Sequence, residues 1–281
     1  MLGRRMMWVT IAAGMLGALN APVALAAEGP EEEAPESAVS SPPMEMDDPG
    51  TPGPRGIEVN FVGTHERLGA ERRMEILFDA NYGIGDRIQL KYERPYIALE
   101  EEDLPHQKGL GATEFGIKWR MVDHGGWGAA IYPNYQLDDG FDMTDVDGQP
   151  VLSEGSSVYL PLLVSKEVAH VYSLAGNLGY RKNLDHRGDD VNIALGVGRA
   201  VPGDGRVLAE VFSERDPDLN NRQTDVRVGY VFNLMPKSWV PHGMEFPAYV
   251  SFGHALGATE PNELVNSFVF GVSIIKIPSG E

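Results

Sequence analysis

The feature that most constrains this chain is the stretch Gly111 to Met121, Gly-Ala-Thr-Glu-Phe-Gly-Ile-Lys-Trp-Arg-Met, in which two kinds of residue separate at period two. Phe115, Ile117, Trp119 and Met121 share one parity, and Glu114, Gly116, Lys118 and Arg120 share the other. Successive side chains of an extended strand point to opposite faces, so this segment has one apolar face and one that is charged or bare. A soluble sandwich turns the apolar face inward. A barrel set in lipid does the reverse: its apolar face points out and its charged face lines the lumen.

The pattern recurs along the chain. Met74, Ile76, Phe78, Ala80 and Tyr82 alternate with Glu75, Asp79 and Asn81, and Ile88, Leu90 and Tyr92 alternate with Gln89, Lys91 and Glu93. Tyr172, Leu174, Leu178 and Tyr180 oppose Ser173, Ala175, Asn177 and Arg181, and Val191, Ile193, Leu195 and Val197 oppose Asn192, Ala194, Gly196 and Gly198. Val226, Val228, Tyr230 and Phe232 oppose Asp225, Arg227 and Gly229, and Phe268, Phe270, Val272 and Ile274 oppose Ser267, Gly271 and Ser273. With less regular segments at 57–64, 127–136, 156–166, 206–214 and 246–256, the count is about twelve strands and no convincing helix.

The links between these segments alternate in length. Short ones fall at 83–86, 123–126, 167–170 and 202–205, and longer polar ones near 65–72, 97–110, 137–154, 182–190 and 215–224. Membrane barrels have short turns on one rim and long loops on the other, an alternation that a sandwich has no reason to keep. The link 234–245, with Pro236, Trp239 and Pro241, is long where a short turn is due. Tyr82, Tyr92, Tyr96, Trp119, Trp127, Tyr180, Tyr230 and Trp239 fall near strand ends, where interfacial aromatics sit.

Residues 1–26 read as a cleaved secretory signal: Arg4 and Arg5, then an apolar run Val9 to Leu19, then Ala24-Leu25-Ala26. Residues 27–56 carry eight acids and no base before Arg55, with Pro30, Pro35, Pro42, Pro43, Pro49, Pro52 and Pro54 among them. That composition predicts a disordered acidic tail. The chain has no cysteine, which excludes a disulfide framework.

The whole chain carries a net charge of -18. Much of the acid lies in the long links, including Glu100 to Asp103, Asp138, Asp139, Asp142, Asp145 and Asp147. Nucleic acid is thereby excluded as a partner. Membrane lipid and divalent cations at the acidic loops are the expected ones. Asp145-Val146-Asp147-Gly148 matches part of a calcium loop but lacks its full ligand spacing, so no metal site is assigned. The seven histidines have no metal-ligand spacing, and neither a nucleophile motif nor a phosphate-binding or dinucleotide glycine loop is present. No catalytic residue or cofactor is expected.

Tyr82 to Leu90, the glycine-rich Gly109-Leu110-Gly111 leading into Glu114 to Trp119, Ile131-Tyr132-Pro133, Leu160 to Lys166 and Gly176 to Tyr180 resemble segments of one family. It is the outer-membrane channel family "MetA-pathway of phenol degradation", and the resemblance spans most of residues 57–275. It implies an outer-membrane protein that passes or binds small hydrophobic or aromatic compounds.

The reading is an all-β chain: signal peptide 1–26, acidic tail 27–56, and an antiparallel up-and-down transmembrane β-barrel over 57–277 in the outer membrane of a Gram-negative-type envelope. The barrel is a monomer and a passive channel or binding barrel for small molecules. A non-transporting structural barrel, a rim-located envelope hydrolase and a soluble periplasmic barrel are the alternatives. Glu75, Asp79, Lys91, Glu93, Glu114, Lys118, Arg120, Arg181, Glu210, Asp225 and Arg227 fall on the expected lumen-lining face.

Overall fold

A computed structural model describes residues 46–68, 71–100, 106–141, 143–144, 150–152, 155–169, 171–184, 188–216, 221–257 and 265–277. The signal 1–26, residues 27–45 of the acidic tail, and Asp145 to Gly148 lie outside these.

Among the described residues the chain forms β1 (Ile57–Leu68), β2 (Glu71–Ile84), β3 (Ile88–Glu100), β4 (Gln107–Leu110), β5 (Thr113–His124), β6 (Trp127–Ile131) and β7 (Asn134–Leu137). A small pair, β8 (Met143–Thr144) and β9 (Pro150–Leu152), stands apart from the main sheet. Then come β10 (Ser157–Val168), β11 (Tyr172–Asn183), β12 (Asp190–Val201), β13 (Gly205–Asp216), β14 (Asn221–Asn233), β15 (Met244–Glu245), β16 (Pro247–Gly257) and β17 (Val265–Lys276). Because β4 runs on into β5 and β6 into β7, and β15 only caps β17, the fifteen-stranded sheet has twelve staves. Every neighbour is antiparallel. β1 pairs with β17 from Ile57↔Lys276 to Leu68↔Val265, which closes the sheet on itself.

Which medium the two faces meet is decided by what lies on each. Phe61, Ile76, Phe115, Ile117, Trp119, Leu178, Ile193, Leu195 and Phe270 are exposed, while Asn60, Asn81, Gln89, Lys118, Asn192, Glu210, Asp225 and Ser267 are buried. The polarity is inverted relative to a soluble protein, as a barrel in lipid requires. A ladder of rings crosses the outer face: Phe61, Phe78, Tyr92 and Phe115, with successive centroids 5.5, 6.3 and 5.5 Å apart. Inside, Leu208, Val231, Tyr249 and Val269 form one small apolar cluster with Val62, and Ala130, Tyr132 and Leu163 form another.

Chain entry at Ile57 and exit at Lys276 mark one rim, where links of two or three residues follow Ile84, His124, Val168 and Val201. The link Gly125-Gly126 has φ of 60° and 73° at its two positions, the positive values that a two-residue hairpin turn needs. By its short turns this is the periplasmic rim. The expected long link near 65–72 is a correction: β1 and β2 stay paired out to Leu68↔Glu71. Glu66 lies opposite Arg73 in that register, so charged residues at the loop rim extend the ladder into water instead of ending it. The long link after β14 is not a slip in register either. It holds a 3-10 turn at Lys237–Trp239, and β15 within it pairs with the end of β17.

The end of the expected tail needs a second correction. Residues 46–56 pack within the barrel unit, with Met46 only 7% exposed and Pro49, Pro52 and Gly56 buried. The Met46 amide donates to Glu210 Oε2 at 3.1 Å, and Lys118 Nζ donates to the Asp48 carbonyl at 2.8 Å. Near the rim, the Thr51 hydroxyl donates to the Asp86 carbonyl at 3.0 Å, the Arg55 amide donates to the Gly83 carbonyl and the Gly83 amide to the Gly56 carbonyl, each at 2.9 Å. A segment too polar to form a core of its own is stable here because the surface it packs on is itself polar.

The lipid-facing assignment has a direct consequence at Leu195, 63% exposed and midway along β12. Leu195→Arg is expected to cost about 2–4 kcal/mol in a lipid-refolding titration, the range for a cation at the bilayer midplane. A cost near zero would mean that this face meets water.

Candidate functional site in the barrel lumen

The inner faces of β2, β3 and β5 place most of the expected lumen residues side by side. Lys91 lies between two carboxylates, paired with Glu93 and with Glu114 at 3.0 Å. Asp79 accepts from Asn60 at 2.9 Å and from Asn81 at 3.0 Å, and Asn81 in turn accepts from Gln89 at 2.6 Å. Glu75 pairs with Arg73 at 2.9 Å. Lys118 is 2% exposed, and its ammonium stands 4.6 Å from the centre of the Tyr132 ring, with Lys91 at 5.6 Å from the same ring. Two cations beside one aromatic ring are tolerable because the ring quadrupole attracts both and the carboxylates offset their charge.

The other expected residues are dispersed. Arg120 sits at the periplasmic rim, donating to the Asp86 carbonyl at 2.6 Å and pairing with Asp123 at 2.9 Å. Glu210 and Arg227 are buried and lie opposite each other in the β13–β14 register. Asp225, also buried, accepts from Gln223 at 2.9 Å. Arg181 stands apart, near the loop rim, with its guanidinium 4.9 Å from the Tyr159 ring.

Two contributors went unread in the sequence. Tyr132 is the first: it lies between β6 and β7, and the inward set there is Gly128, Ala130, Tyr132, Asn134 and Gln136. Alternation against Trp127, Ala129, Ile131, Pro133 and Tyr135 was available to find it. The second is the inner segment 46–56, for which the glycines of the wall were the signal. A β-carbon added at Gly196 would overlap the Met46 methyl, one at Gly83 would overlap the Gly53 carbonyl, and one at Gly128 would lie 2.9 Å from Pro49 Cγ. Side chains at these positions would fill the space the segment occupies.

At the loop rim, Asp139 repairs a break in the wall. Between β4 and β5 the strand leaves its ladder, and the Thr113 amide and hydroxyl both donate to the Asp139 carboxylate at 2.8 Å, while Arg94 pairs with it at 2.9 Å. Desolvation pushes this carboxyl up, but the hydrogen bonds from Thr113 and the Arg94 charge outweigh it and hold Asp139 below the usual carboxylate range. Asp189, outside the strands, is also held low, first by the Tyr180 hydroxyl and then by Lys182.

The closed wall, apolar outside and charged within, defines a transmembrane β-barrel of the outer-membrane type whose lumen holds its own chain. Solved structures with this fold include an outer membrane channel from Pseudomonas putida F1, at 13% identity and a TM-score of 0.56, over 79% of this chain and 96% of that one. The NanC porin is another, at 8% identity and a TM-score of 0.52, over 79% of this chain and 100% of that one. At such identities the likeness is one of fold. No family model matches the sequence, and neither does any curated protein.

Two outcomes test this geometry. The native chain has no cysteine, so Met46→Cys supplies a single thiol. Its labelling by a water-soluble maleimide is expected to be slow, and to speed up severalfold when Lys118→Ala or Glu210→Ala is added, because each removes one anchor of the segment. Equal rates in all three would detach the segment from those anchors. For Asp139 the folded pKa lies below the unfolded one, so its contribution is fully present above the ordinary carboxylate pKa and is lost as pH falls through the depressed value. Unfolding titrations from neutral pH downward should therefore show an acid-induced loss that Asp139→Asn lacks.

Proposed function

We propose that this protein is a passive channel of the outer membrane for small solutes, narrowed by its own residues 46–56. The observation that carries the reading is the pairing of an apolar, lipid-suited exterior with a polar lumen in which Lys91, Glu93, Glu114 and Lys118 are held beside the inner segment. Such mixed charges favour modest, weakly selective ion passage over a filter of one sign, because each charge is neutralised by a neighbour. The barrel acts as a monomer surrounded by membrane lipid, with divalent cations at its acidic loops, and performs no catalysis. Its resemblance to the phenol-degradation channel family supports small aromatic or hydrophobic solutes. The outer-membrane channel and porin that share its fold are consistent with passage.

A structural barrel is the second reading, favoured by the same ion pairs, since Lys91 and its two carboxylates satisfy one another without a solute. Liposome swelling with the refolded full chain separates the two. Uptake of small sugars is expected, and a variant lacking residues 27–52 should take them up faster. An absence of swelling with either chain would leave the structural barrel.

A further inference from the structure

Near the loop rim, four staves bring together an arginine and a set of neutral polar groups. Arg181 is third from last in β11, Ser157 opens β10, Gln136 is next to last in β7, and Asn192 is third in β12. Alternation puts all of them on the inner face. Arg181 Nη1 reaches Gln136 Oε1 at 3.4 Å and Ser157 Oγ at 3.3 Å, both at the long limit of a hydrogen bond. Its guanidinium stacks 4.9 Å from the Tyr159 ring, and the Tyr159 hydroxyl donates to Asn192 Oδ1 at 2.8 Å. The ring can lie along the wall because residue 179 is glycine: a β-carbon there would overlap both Tyr159 Oη and Asn192 Oδ1.

Arg181 differs in this from Lys91, Arg94 and Arg120, each of which is paired with a carboxylate. Asp190 faces Arg181 across the β11–β12 register but accepts from Asn183 at 3.2 Å. Among the described residues Arg181 is held by neutral groups, through one nitrogen and one face. A guanidinium offers five donors in a fixed planar fork. The Nε and Nη2 donors, which suit a carboxylate bidentately, are left to the lumen.

From this geometry we infer that Arg181, steadied on Tyr159, is a binding site for the carboxylate of a small solute at the loop-side mouth of the lumen. The inference rests on the channel reading for how solute arrives, but binding is measured apart from passage. Gln136 and Ser157 set the direction of the fork, and the Tyr159–Asn192 bond fixes the ring beneath it. An organic acid is retained here while its neutral counterpart passes without pause.

Equilibrium dialysis of labelled benzoate against the refolded full chain in detergent tests the site, with benzamide as the uncharged counterpart. Wild type is expected to bind benzoate saturably and benzamide far more weakly. Arg181→Gln should lose about tenfold or more in benzoate affinity, the scale of one lost charge-assisted contact. Arg181→Lys, which keeps the charge but not the fork, should fall between. Heat-modifiable gel mobility checks that each variant is folded, and if Arg181→Gln does not fold, Arg181→Lys decides in its place. Benzoate binding that is unsaturable, equal to that of benzamide, or unchanged in the folded variants would overturn the site. Liposome uptake of small sugars is read in parallel. Its absence with benzoate binding intact would sink the channel reading alone, and its presence with binding unchanged by substitution would sink the site alone.

Discussion

The structure depends on one constraint: within hydrocarbon, every backbone N–H and C=O must find a partner in the protein itself. Closure of β1 onto β17 removes the free edge that an open sheet would leave. The same constraint explains what happens where the wall is irregular. Pro95, Pro133 and Pro161 have no N–H to give, yet each carbonyl accepts a bond that the broken ladder would have left unmade. Gly111 donates to Pro95 at 2.8 Å, Ile117 to Pro133 at 3.0 Å, and Tyr132 to Pro161 at 3.1 Å. Where no carbonyl is in reach, at Thr113, the Asp139 side chain supplies the acceptor. At these four points the staves bend with the donor paired.

That constraint also sets what could be read from sequence. Lipid on one side and a polar lumen on the other impose a period of two, and β2, β11, β12 and β17 show it, while register shifts after Arg120 in β5 and between Thr224 and Asp225 in β14 interrupt it. The register of β14 on β16 was hidden, because the link between them looks like a missing turn and is instead a folded rim element. The inner segment was hidden for a different reason. Composition says whether a segment can build its own core, and residues 46–56 cannot; it does not say whether a cavity built elsewhere will take them. The glycines at 83, 128 and 196 hold that information, but a glycine on a strand face can equally mark a bulge or a bare stretch of wall.

The lumen is not uniform, and the division follows the strands. Charged and amide side chains crowd the inner faces of β2, β3 and β5, while β13, β14, β16 and β17 bring Leu208, Val231, Tyr249 and Val269 together. Charges on the first flank are expensive to bury, and they persist because Lys91 is shared by two carboxylates and Lys118 finds a backbone carbonyl. That carbonyl comes from Asp48, so one of the wall's cations takes its hydrogen bond from the segment, beside the Tyr132 ring of the wall.

The dependence runs both ways. Met46, two residues before Asp48, donates its amide to Glu210, which lies opposite Arg227 on the far flank. The segment thus connects the two sides of the barrel through a lysine on one and a glutamate on the other, and removing it would leave Lys118 and Glu210 each short of a partner. A buried charge that loses its partner costs more than the pair contributes when intact. Water is the replacement at hand, since the lumen is polar and both groups face it. The inner segment and a hydrated lumen therefore compete for the same two charges, and because water can take either place, a small difference in free energy decides how far the lumen is filled by the chain.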